Sequence, residues 1–122
     1  MDKKMTELQM QSQCITWFWN NFPSERKMLH CNMNNSFNRI TGANAKALGV
    51  VAGVSDLEFI GENGVTWFIE LKVPGGRQSE DQKEFQSKLE ERGHKYIIIF
   101  SFEEFKRFIF KQVLHGTLGD NS

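Results

Sequence analysis

The stretch Thr66-Trp67-Phe68-Ile69-Glu70-Leu71-Lys72-Val73 alternates in character along a β-period. Extended, it sends Trp67, Ile69, Leu71 and Val73 to one apolar face and Glu70 and Lys72 to the other. An acid and a base two residues apart on one strand face stand within about 7 Å of each other. Taken alone, that pair is also what an amphipathic strand with a solvated face carries. The preceding segment, Gly49-Val50-Val51-Ala52-Gly53-Val54-Ser55-Asp56, changes the balance. Its two glycines predict a bend or a close backbone approach, and it delivers Asp56 to the start of a neighbouring strand. Gly61-Glu62-Asn63-Gly64 supplies hairpin turn chemistry between the two strands. Asp56 lies five residues before Gly61 and Glu70 six after Gly64, so the two carboxylates converge. Converging carboxylates repel unless a cation lies between them. Oxygen donors without a Cys or His cluster favour Mg²⁺ or Mn²⁺ over Zn²⁺. A divalent ion that binds a phosphate oxygen and acidifies a water, with a lysine beside it, suits phosphodiester hydrolysis.

The surrounding chain supplies elements to position these groups. Residues 5–21 carry Leu8, Ile15, Phe18, Trp19 and Phe22 at helical spacing, and Pro23 closes the segment. Lys27–Met33 can alternate as a strand with Leu29, Cys31 and Met33 on one side, until Asn34-Asn35-Ser36 breaks it. A short helix is expected over 42–48. The hairpin pairs Asp56–Ile60 with Val65–Val73, and Pro74-Gly75-Gly76 ends it. Ser79 and Gln82 have capping-box spacing at the head of a helix that Gly93 stops. Tyr96–Phe100 is an apolar run of the kind buried on both faces of a sheet. Ser101 and Glu104 repeat the capping-box spacing before a last helix bearing Phe105, Phe108 and Ile109, with fraying expected from Gly116. This order predicts an α/β architecture, a mixed sheet flanked by helices. The strands at 65–73 and 96–100 should run parallel through a right-handed crossover.

A chain of 122 residues with eleven Phe fits one domain, placed here at 1–115, with 116–122 expected as a flexible tail. Lys plus Arg equals Asp plus Glu, 15 against 15, so nucleic-acid binding requires a local basic patch rather than bulk charge. Cys14 and Cys31 have no metal or redox spacing and read as buried apolar residues of a reducing cytosol. No apolar run approaches the ~20 residues of a membrane span, and the first residues lack a signal-peptide core. The expectation is a soluble cytoplasmic domain.

The ordered series Gly49–Leu57, the Ile69-Glu70-Leu71-Lys72 strand and Gly76-Arg77-Gln78-Ser79-Glu80-Asp81-Gln82 ahead of a helix resembles the virus-type replication-repair nuclease (VRR-NUC) domain. Asp56 with the Glu70-x-Lys72 pair resembles the PD-(D/E)xK nuclease signature more broadly. The likeness spans residues 5–110 and implies a restriction-endonuclease-like fold of order α-β-α-β-β-α-β-α. It implies Asp56, Glu70 and the backbone carbonyl of Leu71 as ligands of Mg²⁺ or Mn²⁺, with Lys72 catalytic. It implies Gln82 as the residue supporting Lys72, though Gln82 is equally a capping-box residue and fills both roles only if its side chain faces the sheet. Glu7 is the candidate for the first-helix glutamate that often completes such a site, and it is also a residue favoured there by the helix dipole. Ser55 stands where the family usually has proline. Proline there shapes backbone and does no chemistry, so the site is expected to survive the change.

Beside such a site Arg39, Lys46, Arg77 and Lys83, ordinary surface cations one by one, become phosphate contacts. Asn34 and Asn35 read as turn residues, and the resemblance implies a DNA-facing loop there. His30, His94 and His115 occur in unrelated contexts and receive no metal role. The resemblance implies a structure-selective endonuclease acting on branched DNA such as a four-way junction. It further implies a homodimer; the compact form suggests a phage or prophage origin, and no small-molecule cofactor is expected. A sequence-specific restriction-like endonuclease and a non-catalytic DNA-binding module on the same fold remain the alternatives.

Overall fold

The structure, a computed structural model, describes residues 5–32, 44 and 47–117. Helix α1 (Glu7–Asn21) starts at a capping box in which Thr6 and Gln9 satisfy each other's backbone N–H groups. A 3₁₀ helix, Pro23–Met28, leads into the three-residue strand β1 (Leu29–Cys31). Strands β2 (Leu57–Ile60) and β3 (Thr66–Leu71) form the hairpin, α2 (Glu80–Glu91) follows, then β4 (Lys95–Ile99) and α3 (Phe102–Thr117). The four strands lie in the order β1-β2-β3-β4, antiparallel except for the parallel β3–β4 pair. The result is a mixed α/β sheet flanked by helices, with the parallel pair where the intervening helix required it.

Hairpin register follows from the turn. Asn63 and Gly64 both have positive φ, 62° and 74°, the backbone of a tight turn whose twist matches the strands it joins. Gly61 N–H bonds the Val65 carbonyl at 2.7 Å, and the ladder then runs Ile60↔Thr66 to Leu57↔Ile69.

One face of the sheet carries the core. Met10, Cys14 and Phe18 from α1 and Phe105, Phe108 and Ile109 from α3 bury Leu29, Leu57, Phe59, Ile69, Leu71 and Ile99. Edge-on ring contacts (Trp67–Phe108 at 5.1 Å, Phe18–Phe59 at 5.9 Å) tie the layers together. Helix α2 lies against the opposite face, where Phe85 meets Phe68 and Tyr96 edge-on at 5.9 and 6.4 Å. That helix contains no fully buried residue, so its seat on the sheet rests on a few aromatic and polar contacts.

Several expectations need correction. The buried stripe of α1 is Met10, Cys14 and Phe18, while Leu8 and Trp19 are 56% and 40% exposed. The strand expected from Lys27 is shortened by the 3₁₀ turn that Pro23 begins. Cys31, expected to be buried, is exposed: it ends the short edge strand β1, in which only Leu29 is buried. The final helix continues through Gly116 to Thr117. The helix expected at 42–48 lies mostly outside the described residues. Among the described residues no helix is long and apolar enough to cross a membrane.

Candidate active site

The β2–β3 register places Asp56, one residue before Leu57, opposite Glu70, one residue after Ile69. Both are buried, at 7% and 1% exposure, and share the sheet face opposite the core. Asp56 is fixed from two directions. Its Oδ2 accepts the Leu71 N–H at 2.7 Å. On the other side, Asn32 donates its backbone N–H to the Asp56 carbonyl at 2.8 Å and its Nδ2 to the Ser55 carbonyl at 3.0 Å. Ser55 is fully buried and its hydroxyl reaches the Leu57 carbonyl at 3.4 Å. A serine therefore fills the place of the expected proline, and its own carbonyl and hydroxyl are tied to Asn32 and Leu57.

Gly53 explains the glycine pattern ahead of Asp56. Its φ is +88°, and a Cβ there would fall 2.6 Å from the backbone C and O of Asp81. The segment entering the site is thus pressed directly onto the first turn of α2, which only glycine allows.

Glu70 faces α2 and β4. Gln82 Nε2 donates to Glu70 Oε2 at 3.0 Å, while Gln82 Oε1 accepts the Ser79 N–H at 2.8 Å. Ser79 Oγ in turn accepts the Gln82 N–H at 3.1 Å. One amide thus caps the helix with its oxygen and reaches Glu70 with its nitrogen, rather than making the expected contact with Lys72. From β4 the Tyr96 hydroxyl donates to Glu70 Oε1 at 3.5 Å. Burial, then the Glu70 charge, raise the Tyr96 hydroxyl above its ordinary range, so it stays a donor. Lys72, 9% exposed, lies next along the same face, and a Cβ at Gly76 would meet its aliphatic stem at 3.5 Å.

The electrostatics follow from this crowding. Burial first, then the Asp56 charge and a hydrogen bond shared with Asp56, push the Glu70 carboxyl from 4.5 up to about 9. Lys72 opposes that shift and Glu7 adds its smallest push. Two buried carboxylates beside one lysine form a donor set that fits a hard divalent cation. The N–H and carbonyl of one strand residue point to the same edge, so the Leu71 carbonyl faces the side on which its N–H meets Asp56. Among the described residues no three His, Cys, Asp or Glu side chains are gathered to hold a metal. Further ligands would be water or phosphate oxygens, as is usual for Mg²⁺.

The other expected residues are distributed less closely. Glu7 is exposed at the head of α1, within electrostatic reach of Glu70 but outside a ligand cluster. Arg77 is exposed between Gly76 and Gln78, on the approach to α2. Lys83 is paired with Glu80 at 3.4 Å. Asn35, Arg39 and Lys46 lie outside the described residues. Sequence reasoning missed Asn32, Gln78 and Tyr96. Tyr96 carried a readable signal, since the only tyrosine of the chain sits in a run expected to be buried, where its hydroxyl needs a partner.

A mixed sheet whose hairpin sets an aspartate against a Glu-x-Lys pair, with a glutamine reaching in from the next helix, is the design of the PD-(D/E)xK class. Within that class, the VRR-NUC domain model matches residues 2–102, and the chain belongs to this family of PD-(D/E)xK-type nucleases. Two solved structures share the fold. One, described as a VRR_NUC domain protein, has a TM-score of 0.72 at 21% identity, covering 91% of this chain and 90% of its own. The other, described as a VRR_NUC domain, has a TM-score of 0.55 at 17% identity, covering 87% and 97%. No curated protein matches the sequence.

Proposed function

We propose that the protein is a metal-dependent endonuclease that hydrolyses phosphodiesters in branched DNA. The observation that carries this reading is the set of buried ionisable groups on one face of the hairpin, Asp56 opposite Glu70 with Lys72 beside them. In this reading Asp56, Glu70 and the Leu71 carbonyl hold Mg²⁺ or Mn²⁺. When bound, the ion supplies Lewis acidity toward a water and a phosphate oxygen. Lys72 then orients the attacking water or offsets charge growing on the phosphate. Asn32 and the Leu71 N–H keep Asp56 in place, and Gln82 keeps Glu70 in place. Arg77, together with Arg39, Lys46 and Asn35, supplies contacts to the DNA backbone.

The branched substrate goes with a homodimer, in which two-fold symmetry sets two sites on two strands of a junction. What supports a dimer is the exposed apolar surface of α1, where Leu8 and Trp19 flank a groove shared with Ile15 and the edge-strand residue Cys31. The test is cleavage of labelled four-way junction, flap and linear duplex DNA in Mn²⁺, Mg²⁺ or EDTA, with wild type beside Glu70→Ala. Metal-dependent cutting that the variant lacks is expected, with paired symmetric nicks in the junction. Binding without cutting in every metal would replace the enzyme with a DNA-binding module.

A further inference from the structure

The Glu70 carboxylate is gripped from two elements, and one grip comes from outside the motif residues. Gln82 on α2 holds Oε2, and Tyr96 on β4 reaches Oε1. What lies behind Tyr96 sets the direction of that second hydrogen bond. Gln78 Nε2 donates to Gln86 Oε1 at 2.8 Å and to the Tyr96 oxygen at 3.2 Å. Gln86 Nε2 in turn donates to Glu90 Oε2 at 3.2 Å. An amide nitrogen only donates, so the Tyr96 oxygen accepts from Gln78 and its own proton is left for Glu70. The chain therefore runs donor to acceptor without conflict, from Gln78 outward to an exposed carboxylate and inward to a buried one.

The last torsion of a glutamate is broad, so one hydrogen bond leaves its carboxylate free to swing. A second, on the other oxygen, fixes the plane. We infer that Tyr96, steered by Gln78, is a positioning residue that turns the remaining lone pairs of Glu70 toward Asp56 and the divalent ion the pair is proposed to hold. The inference rests on the metal-dependent reading above. The Tyr96 ring is 9% exposed and lies edge-on to Phe85, so the hydroxyl is delivered from a seat that packing already fixes. Such outer partners of metal-binding carboxylates commonly change affinity by about 10–100-fold when lost.

The test is calorimetric titration of Mn²⁺ into metal-free protein without DNA, for wild type, Asp56→Asn, Tyr96→Phe and Gln78→Leu, with thermal unfolding in EDTA alongside. Wild type should bind and Asp56→Asn should not. Tyr96→Phe keeps the ring and should bind about tenfold more weakly, at the lower end of that range because its hydrogen bond is long. Gln78→Leu should weaken binding less, in the same direction, with the fold intact. A purely structural role for Tyr96 would lower the unfolding temperature and leave Mn²⁺ affinity unmoved. Wild-type affinity in both Tyr96→Phe and Gln78→Leu overturns the inference and leaves the metal reading standing. Absence of Mn²⁺ binding by wild type overturns both. If Tyr96→Phe fails to fold, Gln78→Leu decides alone, and unchanged affinity there overturns the inference.

Discussion

Strand β3 presents two faces that are equally dry and chemically opposite. On one, Ile69 and Leu71 pack among Phe18, Phe105 and Ile109, and each apolar side chain removed from water stabilises the fold by roughly 1.5–3 kcal/mol. On the other, Glu70 and Lys72 are as well buried as the core, but their burial carries a desolvation cost that hydrogen bonds and opposite charge only partly offset. Low exposure alone cannot separate a core from an active site. What separates them is whether the buried groups would be more stable as hydrocarbons.

The comparison can be broken by substitutions on either face. The largest expected effect is Lys72→Ala, which should lower the single-turnover cleavage rate by about 10³-fold while DNA binding in Ca²⁺ persists. Wild-type cutting by that variant would return Lys72 to the role of a surface cation. On the core face, Phe105→Ala should cost about 3–5 kcal/mol in urea unfolding, and the surviving folded fraction should bind Mn²⁺ normally. Gly53→Ala tests the seam between the faces. It meets both a left-handed backbone and the Asp81 peptide, so a loss of about 2 kcal/mol is expected together with weakened metal binding. Unchanged stability would mean that the entry segment is not pressed on α2.

The last test concerns pH. In the metal-free protein, Glu70 holds its proton up to about 9, whereas in the unfolded chain it releases it near 4.5. Below 4.5 both states are protonated and the stability is complete. Between the two values only the unfolded state has lost the proton, so stability falls as pH rises, and above 9 it falls no further on this account. Thermal unfolding in EDTA should therefore show Glu70→Gln matching wild type below pH 4.5 and exceeding it by a margin that widens steadily from pH 5 to pH 8. Parallel pH curves for the two proteins would show that Glu70 is not the buried acid described here.

Much of this arrangement was legible in local pattern. The hairpin register followed from Asn63-Gly64 and period-two alternation, and with it came the meeting of Asp56 and Glu70. Ser79–Gln82 spacing marked the head of α2. The rest depended on tertiary context that spacing does not encode. Apolar residues cover so wide an arc of α1 that periodicity admits Leu8 and Trp19 as readily as Met10 and Cys14, and only the position of the sheet chooses. Cys31 is exposed because β1 is three residues long at the sheet edge. Asn32 and Tyr96 act across gaps of 24 and 26 residues, on Asp56 and Glu70 respectively, beyond any sequence window.

The amide of Gln82 bears on how freely this position can vary over evolutionary time. Its oxygen closes the helix start and its nitrogen serves Glu70, a division of labour fixed by the chemistry of the group. Glutamate keeps the acceptor and turns the donor into a third negative charge. Lysine keeps a donor and forfeits the acceptor, and asparagine has both but is one methylene short. A position that a propensity scale would score as interchangeable among polar helix formers is thus one where glutamate, lysine and asparagine each lose at least one of its two contacts.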